Sequence, residues 1–479
     1  MNMYVFTMPA IKWDERDPDK TAIRTMIEKH ATEIGHLDKL YNYYHGKHAI
    51  LEESDRENKL VCNHAKDIAD TATSYFLGNP ISYKSEEKDL LVLTDALETA
   101  EADETDGDNA LDLAIFGRAY DYIYTRKDDT ELMIKNLDPR NTFMVYDDSI
   151  EQNELFAVYY YVKKDDSIHS AAPEYIATVL TEHYLWVFDL PKIPSAASVL
   201  QGPEEHFKSR IPITEWLNNK MGLGDYELQI PLIDAYNALM SDRITDKEQF
   251  IDSILAIYGT LLSDDESAES DSSSSDTPMK RLKREKLLEM PDGSRAEYLI
   301  RTFDEAGVDV LRRAIEQDIH KFSHIPCLTD ENFAGNVSGV AMEFKLLGIE
   351  NITKIKTRYY RKGLRKRLQI FCDWLQTNGR GTIDPNKIKA IFTRAMPKNL
   401  LEISQYVANL KGTVSQRTLL AQIPFVDDPD AEIKAVEKEN EDAALLQREL
   451  FMENGQENTP PDEDDDEKKE NPEDGDVNA

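Results

Sequence analysis

Several groups in this chain have residue types that can do chemistry, and in each the spacing decides against it. His320 and His324 stand four apart in a stretch that reads as helix, the separation at which one helix face chelates zinc. The glutamate of an HExxH motif is missing, because Lys321 follows the first histidine. His45, His48 and His64 pose the same question around Tyr43-Tyr44-His45-Gly46-Lys47-His48, with no cysteine or carboxylate at a ligand spacing, and read as histidines of a helix-ending turn. Asp103–Asp108 fits a calcium loop poorly: centred on Gly107, the loop has Ala102 at the first ligand position and Leu113 where the bidentate glutamate belongs. The nearest approach to a phosphate-cradling P-loop, Gly46-Lys47, lacks the upstream glycine and runs into His48. Neither a G-x-S-x-G elbow nor a Cys-His signature occurs, and Cys62, Cys327 and Cys372 are too dispersed for a disulfide framework or a cysteine zinc site. The residues therefore predict no catalytic group, no metal site and no cofactor, in a reducing compartment.

What remains is charge. The 479 residues carry a net charge of -35, concentrated at the C-terminal end, where residues 431–479 hold 18 acidic against 5 basic side chains. Such acidity opposes tight non-specific binding to nucleic acid, in which protein cations replace condensed counterions. Against this background two basic runs stand out: Lys280, Arg281, Lys283, Arg284 and Lys286, and the helical run Lys354, Lys356, Arg358, Arg361, Lys362, Arg365, Lys366 and Arg367. The second has two readings, a nucleic-acid grip or a solvated helix face that pairs with neighbouring subunits, and the spacing of its cations around an apolar stripe favours the subunit face. Tyr359 belongs to that stripe and reads as core rather than as a base-stacking platform.

The elements that position these residues form an α+β, mainly helical chain, with 41% hydrophobic residues to build its cores. Helical periodicity runs from Asp19 to about Tyr83 and stops at Gly78-Asn79-Pro80, and a second helical stretch ends near Gly117. Tyr120–Thr125, Leu132–Leu137, Phe143–Tyr146, Leu155–Val162, Tyr175–Thr181 and Tyr184–Val187 read as short strands, residues 191–204 as a surface loop, and Ile211–Trp216 as a further strand. From Pro231 a helical stripe continues through Ile251, Ile254 and Leu255 into Leu255–Leu262, an apolar β-like run, and an acidic, serine-rich segment at 263–276 with no folding signal of its own. Leu287–Met290 and Ala296–Arg301 flank the turn Pro291–Ser294 as a hairpin. Thr302 and Glu305 open a helix with the stripe Val308, Leu311, Ile315, Ile319 and Phe322. Thr329–Gly339 is a polar loop, and Phe344, Leu347, Ile355, Tyr359, Leu364, Leu368, Phe371 and Leu375 mark a long helix with Gly348 and Gly363 as bends, closed by Gly379. A strand near Ile388–Arg394, helices at Leu400–Leu410 and Ser415–Ala421, a helix after Asp428-Pro429 and a disordered acidic tail complete the reading. No window approaches eighteen apolar residues and the start lacks a leader pattern, so the chain reads as a soluble, intracellular subunit of a larger assembly, with no membrane partner.

Several strings then resemble the portal proteins of tailed double-stranded DNA bacteriophages, the branch typical of siphophages of Gram-positive hosts. They are Tyr43–His48 with Ile50-Leu51, Asn63–Ile68 running to Tyr75–Tyr83, Ile211–Ile213 with Asn218-Asn219, Leu232–Asn237 with Ser241-Asp242, Asn336–Met342 with Phe344-Lys345, and Ser415–Leu420 with Asp427-Asp428. The resemblance implies a portal fold assembled as a twelvefold ring around a channel. Its parts are a wing over 1–225, a first stem helix over 226–255, a clip over 256–303 containing the loop 263–276, and a second stem helix over 304–325. A channel loop over 326–337, a long tunnel helix over 338–379, a wing strand over 380–394, a helical crown over 395–455 and a disordered tail over 456–479 follow. By the same resemblance, Thr329, Asp330, Glu331, Asn332, Phe333, Ala334, Gly335 and Asn336 face DNA, while Lys280, Arg281, Lys283, Arg284 and Lys286 meet terminase or head-completion proteins. Lys354, Lys356, Arg358, Arg361, Lys362 and Arg365 are the candidates for the subunit interface. The implied partners are further copies of the chain, the terminase large subunit, head-completion (adaptor), scaffold and major capsid proteins, and the DNA passing through. The implied place is a capsid vertex of the virion, with the host cytoplasm during assembly. The alternatives are a DNA-processing enzyme holding magnesium in acidic clusters, and a general nucleic-acid-binding module built on 354–367.

Overall fold

A computed structural model describes residues 5–85, 89–127, 129–163, 174–191, 193–251, 254–258, 295–299, 305–327, 339–394, 400–423, 426 and 429–454. The chain divides into a larger unit, Met1–Met396, and a smaller one, Pro397–Ala479.

The larger unit is built in layers. β1 (Phe6–Met8), β5 (Thr142–Asp147), β6 (Glu154–Val162), β7 (Tyr175–Leu180), β8 (Tyr184–Leu190) and β9 (Ser198–Glu205) form one sheet in that order, antiparallel except for the β1–β5 pair. A second sheet has the order β10 (Ile213–Leu217), β3 (Arg118–Thr125), β4 (Leu132–Leu137). Alternation along β6 shows how the layers stack, because Phe156, Val158 and Tyr160 enter the core beneath helix α1 (Lys20–Tyr44), whereas Ala157 enters the core shared with Tyr120 and Ile213 of the second sheet. The far face of β3 carries Ala119 and Ile123 into a third core, closed by α3 (Leu91–Thr99), α4 (Ala102–Phe116) and the long helix. The second sheet is thus covered on both sides, which explains why five of the eight positions of its central strand are buried and none is exposed.

Local signals account for the helix ends. Asp19 accepts a hydrogen bond from the Thr21 amide and opens α1, and Asn63 does the same for the Lys66 amide and opens α2 (His64–Leu77). Gly117, at φ 74°, closes α4 in the left-handed region, where a Cβ would stand 2.1 Å from the Gly222 carbonyl oxygen. Then come α5 (Ile230–Ile251), the paired strands β11 (Ile254–Tyr258) and β12 (Arg295–Leu299), α6 (Glu305–Ser323) and the 39-residue α7 (Gly339–Thr377). β2 (Ser82–Lys84) pairs with β13 (Lys389–Ile391). In the smaller unit lie α8 (Leu400–Leu410), α9 (Gln416–Leu420), capped by Ser415, and α10 (Pro429–Asn454), with proline in its first turn.

Four expectations need correction. Residues 198–205 are an edge strand rather than loop: pairing with β8 satisfies the backbone of a polar, wholly exposed segment, and an edge tolerates Pro203. Ile254 and Leu255 leave the helical stripe and join β11, whose partner is the 295–299 strand; Leu287–Met290, the expected partner of that strand, lies outside the described residues. In α7 the expected stripe holds from Leu364 through Leu368 and Phe371 to Leu375, which are buried, but not before it, where Tyr360 is fully buried while Tyr359 is half-buried and Ile355 exposed. Gly363 marks a close approach rather than a bend, since a Cβ there would meet the Trp216 ring at 2.6 Å.

Candidate functional site

The root of α5 is assembled from side chains far apart in the chain. His48 lies in the turn that follows α1, its Nε2 3.0 Å from the Tyr43 carbonyl oxygen and its Nδ1 2.8 Å from the Asn237 amide nitrogen. Asn237 accepts at its Oδ1 from the Cys62 amide, Ser241 Oγ accepts from the Leu60 amide, and Tyr43 donates to Asp234 at 2.7 Å. Asn63, besides capping α2, donates to the Tyr44 carbonyl. Asn237 and Ser241 are completely buried, so this network replaces water for backbone groups of the 60–62 segment. Around it Leu40, Ile68, Ile233, Ile319 and Ile349 form one core, which ties α1, α2, α5, α6 and the first turns of α7 together. His320 is buried with Nδ1 3.2 Å from the Ile325 carbonyl oxygen, whereas His324 lies beyond the end of α6 at φ 60°. The two histidines therefore do not share a helix face. Among the described residues, no group of three or more His, Cys, Asp or Glu is arranged to hold a metal ion.

Helix α7 runs from this core into the one beneath the second sheet, and its inward face is ionic as well as apolar. Arg367 is fully buried, donating to Asp106 of α4 at 2.6 Å and to Asp121 of β3 at 2.5 Å, with its guanidinium 4.6 Å from the centre of the Trp216 ring. Tyr360 donates to Asp106 and Trp216 to Asp121, and the two rings stack at 4.2 Å. Burial pushes the Asp106 carboxyl up despite Arg367, while for Arg367 the neighbouring Asp106 and Asp121 outweigh burial and hold its charge firmly. Lys356 is also inside, paired with Asp225 in the segment between β10 and α5, and Lys366 pairs with Glu154 and donates to the Ile213 carbonyl. Burial lowers the Lys366 ammonium.

The basic run is thus two faces of one helix. Lys356 drops out of the interface candidates, because it stands four residues before Tyr360 on the inward face and has its partner within the chain. Lys354 is exposed and lies 3.6 Å from Glu350; Arg358, Arg361, Lys362 and Arg365 are exposed. Two depressions flank the outer face. One is a cleft of about 720 Å³ lined by Lys362, Arg365, Lys366, Glu151, Glu182 and Arg210, and the other a groove of about 590 Å³ lined by Arg361, Leu364, Leu368 and Ile388–Ile391. The DNA-facing candidates Thr329–Asn336 and the basic run Lys280–Lys286 lie outside the described residues.

A sequence profile described as "Phage portal protein, SPP1 Gp6-like" matches residues 23–445. The chain belongs to that family. It is similar to the portal protein of Bacillus phage SPP1, 23% identical over 477 residues that cover 92% of this chain and 90% of that protein. It is also similar to the portal protein of Clostridium phage phiCD119, 22% identical over 437 residues that cover 85% and 93%. In this portal-family chain the strings Tyr43–His48, Asn63–Ile68 and Leu232–Asn237 with Ser241, which carried the resemblance, meet in one hydrogen-bonded root. Their roles at the root are structural, and sequence reasoning passed over the meeting itself. A signal was present: Asn237 and Ser241 follow Ile233 at four-residue steps on an otherwise apolar helix face, and Arg367 interrupts the stripe of Leu364, Leu368 and Phe371.

Proposed function

We propose that this portal-family chain is the ring-forming subunit of a conduit at one capsid vertex. The conduit nucleates procapsid assembly, docks the terminase motor, passes double-stranded DNA into and out of the head, and later receives head-completion proteins. In this reading α5 and α6 are the stem and β11 with β12 belongs to the clip. Thr329–Asn336 is the channel loop ahead of the tunnel helix α7, and 395–455 is the crown. ATP hydrolysis belongs to the terminase, and the chain contributes passage and docking rather than catalysis.

The observation that carries the ring is the apolar surface that α6 and the start of α7 leave uncovered. Ile315 and Ile319 pack into the chain's own core, yet Val310 is 69% exposed, Leu311 and Phe322 of the same stripe are 51% and 55% exposed, and on α7 Phe344 is 73% exposed. A helix with this much exposed apolar surface has more to bury than its own subunit covers, and a neighbouring copy is the surface at hand. Substitution Val310→Asp with Leu311→Asp leaves the circular dichroism of the subunit unchanged and abolishes rings in negative-stain images and native mass spectra, where the unsubstituted chain gives rings of one size. Rings from the double variant, or a persistently monomeric unsubstituted chain under packaging-buffer conditions, would refute the reading.

A further inference from the structure

The outward face of α7 holds Arg358, Arg361, Lys362 and Arg365, spaced i, i+3, i+4 and i+7, all exposed. At about 100° per residue they lie between roughly 120° and 220° around the axis from Arg367, on the side of the helix opposite the buried network. Across that network Asp106 of α4 faces Arg367. On α4, Glu104 and Asp108 stand at roughly 160° and 200° from Asp106, facing away from α7. Glu98 near the end of α3 and Glu101 at the α3–α4 junction are exposed with them. The layer formed by α7 and α4 therefore has a cationic outer face on one side and an anionic corner on the other.

Neither patch is neutralised by ion pairs among the described residues, although Glu151 and Glu182 line the cleft beside Lys362 and Arg365. Among the described residues none of these eight side chains has an ion-pair partner, and only Arg361 leans on a ring, 5.4 Å from the centre of Phe392. Arg358 with Lys362 and Arg361 with Arg365 are like-charged i,i+4 pairs that work against their own helix, as are Glu104 and Asp108. The helix dipole favours Glu104 in the first turn of α4 but disfavours Glu98 at the end of α3 and leaves Asp108 unexplained. In a chain of net charge -35, four neighbouring cations without an ion pair among the described residues are a local exception that an anionic surface relieves.

We propose that the Arg358–Arg365 face of one copy docks the Glu98–Asp108 corner of a second copy, as a head-to-tail electrostatic contact between neighbours in the ring. This rests on the ring reading above and names the surfaces that meet. A contact between two different patches on opposite sides of one layer is heterologous, the type that repeats around a ring, whereas a two-fold dimer needs a self-complementary patch. The groove beside Arg361, which has no acidic residue in its lining, gives the incoming carboxylates an indented seat.

The test is a charge swap on the full-length chain. Arg358→Glu, Arg361→Glu and Arg365→Glu together, or Glu98→Lys, Glu104→Lys and Asp108→Lys together, weaken association on the order of tenfold per interface, from three rim ion pairs. Native mass spectrometry at low salt then shows subunits in place of rings. Combining both sets restores rings, and raising salt weakens assembly of the unsubstituted chain more than that of a chain with the cations changed to glutamine. All substituted residues are exposed, and circular dichroism of each variant checks that it folds. Rings of normal yield from either single set, or no rescue by the combined set, overturns the docking while leaving the ring reading intact. If the unsubstituted chain forms no rings, both fall. If the cation reversal spares rings and abolishes salt-sensitive binding of duplex DNA, the face is a nucleic-acid surface and the docking is overturned.

Discussion

Replacing Arg367 by methionine tests how α7 is held. The substitution keeps length and apolar contact with Trp216 but removes the only cation bonded to two buried carboxylates, Asp106 and Asp121, among the described residues. Removing one member of a buried ionic group costs about 3–5 kcal/mol, because the remaining charges lose their partner but not their burial. About 4 kcal/mol is roughly a thousandfold in the opening equilibrium of the segment. The assay is amide hydrogen exchange over residues 357–371, which reads local opening without requiring a two-state chain. The pH dependence gives a second readout. Burial already raises the Asp106 carboxyl above its unfolded value, so its contribution is favourable on the acid side and is lost as pH rises through the folded value. Without Arg367 that upward push is unopposed, so the deficit is larger at high pH and narrows as pH falls. Arg365→Met, on the exposed face, changes exchange by less than about 0.5 kcal/mol. Equal effects at 365 and 367, or an Arg367→Met deficit that grows as pH falls, would show that the buried network does not hold the helix.

Gly363→Ala lowers the melting temperature by the equivalent of about 1–3 kcal/mol, because its Cβ would stand 2.6 Å from the Trp216 ring, whereas Gly35→Ala in α1, with open space around the new methyl, stabilises by about 1 kcal/mol. Denaturation midpoints of the two variants check the contrast. Burial pushes His30 down to about 4, between the Tyr160 hydroxyl and the Pro139 carbonyl. The unfolded chain then binds the extra proton, so His30 contributes stability above about pH 6.5 that is lost as pH falls toward 4. His30→Phe makes stability against urea fall less steeply over that window, whatever its effect at pH 8, and an unchanged slope counts against the assignment.

Much of this molecule was legible in order and type. Short apolar and aromatic runs between turns located the strands between Tyr120 and Val187, the Gly-Asn-Pro stop ended α2, and the strings from Tyr43 to Asp242 pointed to the portal family. These are local properties: a strand or a cap is decided by residues within a few positions of one another. The edge strand at 198–205 was missed because its hydrogen bonds come from β8 and nothing in its own polar composition announces them.

The basic run was another matter. Eight cations between 354 and 367 carry the same formal charge in the sequence, and only the packed layers separate Lys356, Lys366 and Arg367, which face inward, from Arg358, Arg361, Lys362 and Arg365, which face out. The carboxylates that make the distinction, Asp106, Asp121, Glu154 and Asp225, stand more than a hundred residues away along the chain. A buried charge is tolerable only where such partners converge, and their convergence is a property of the folded layers rather than of any stretch of sequence.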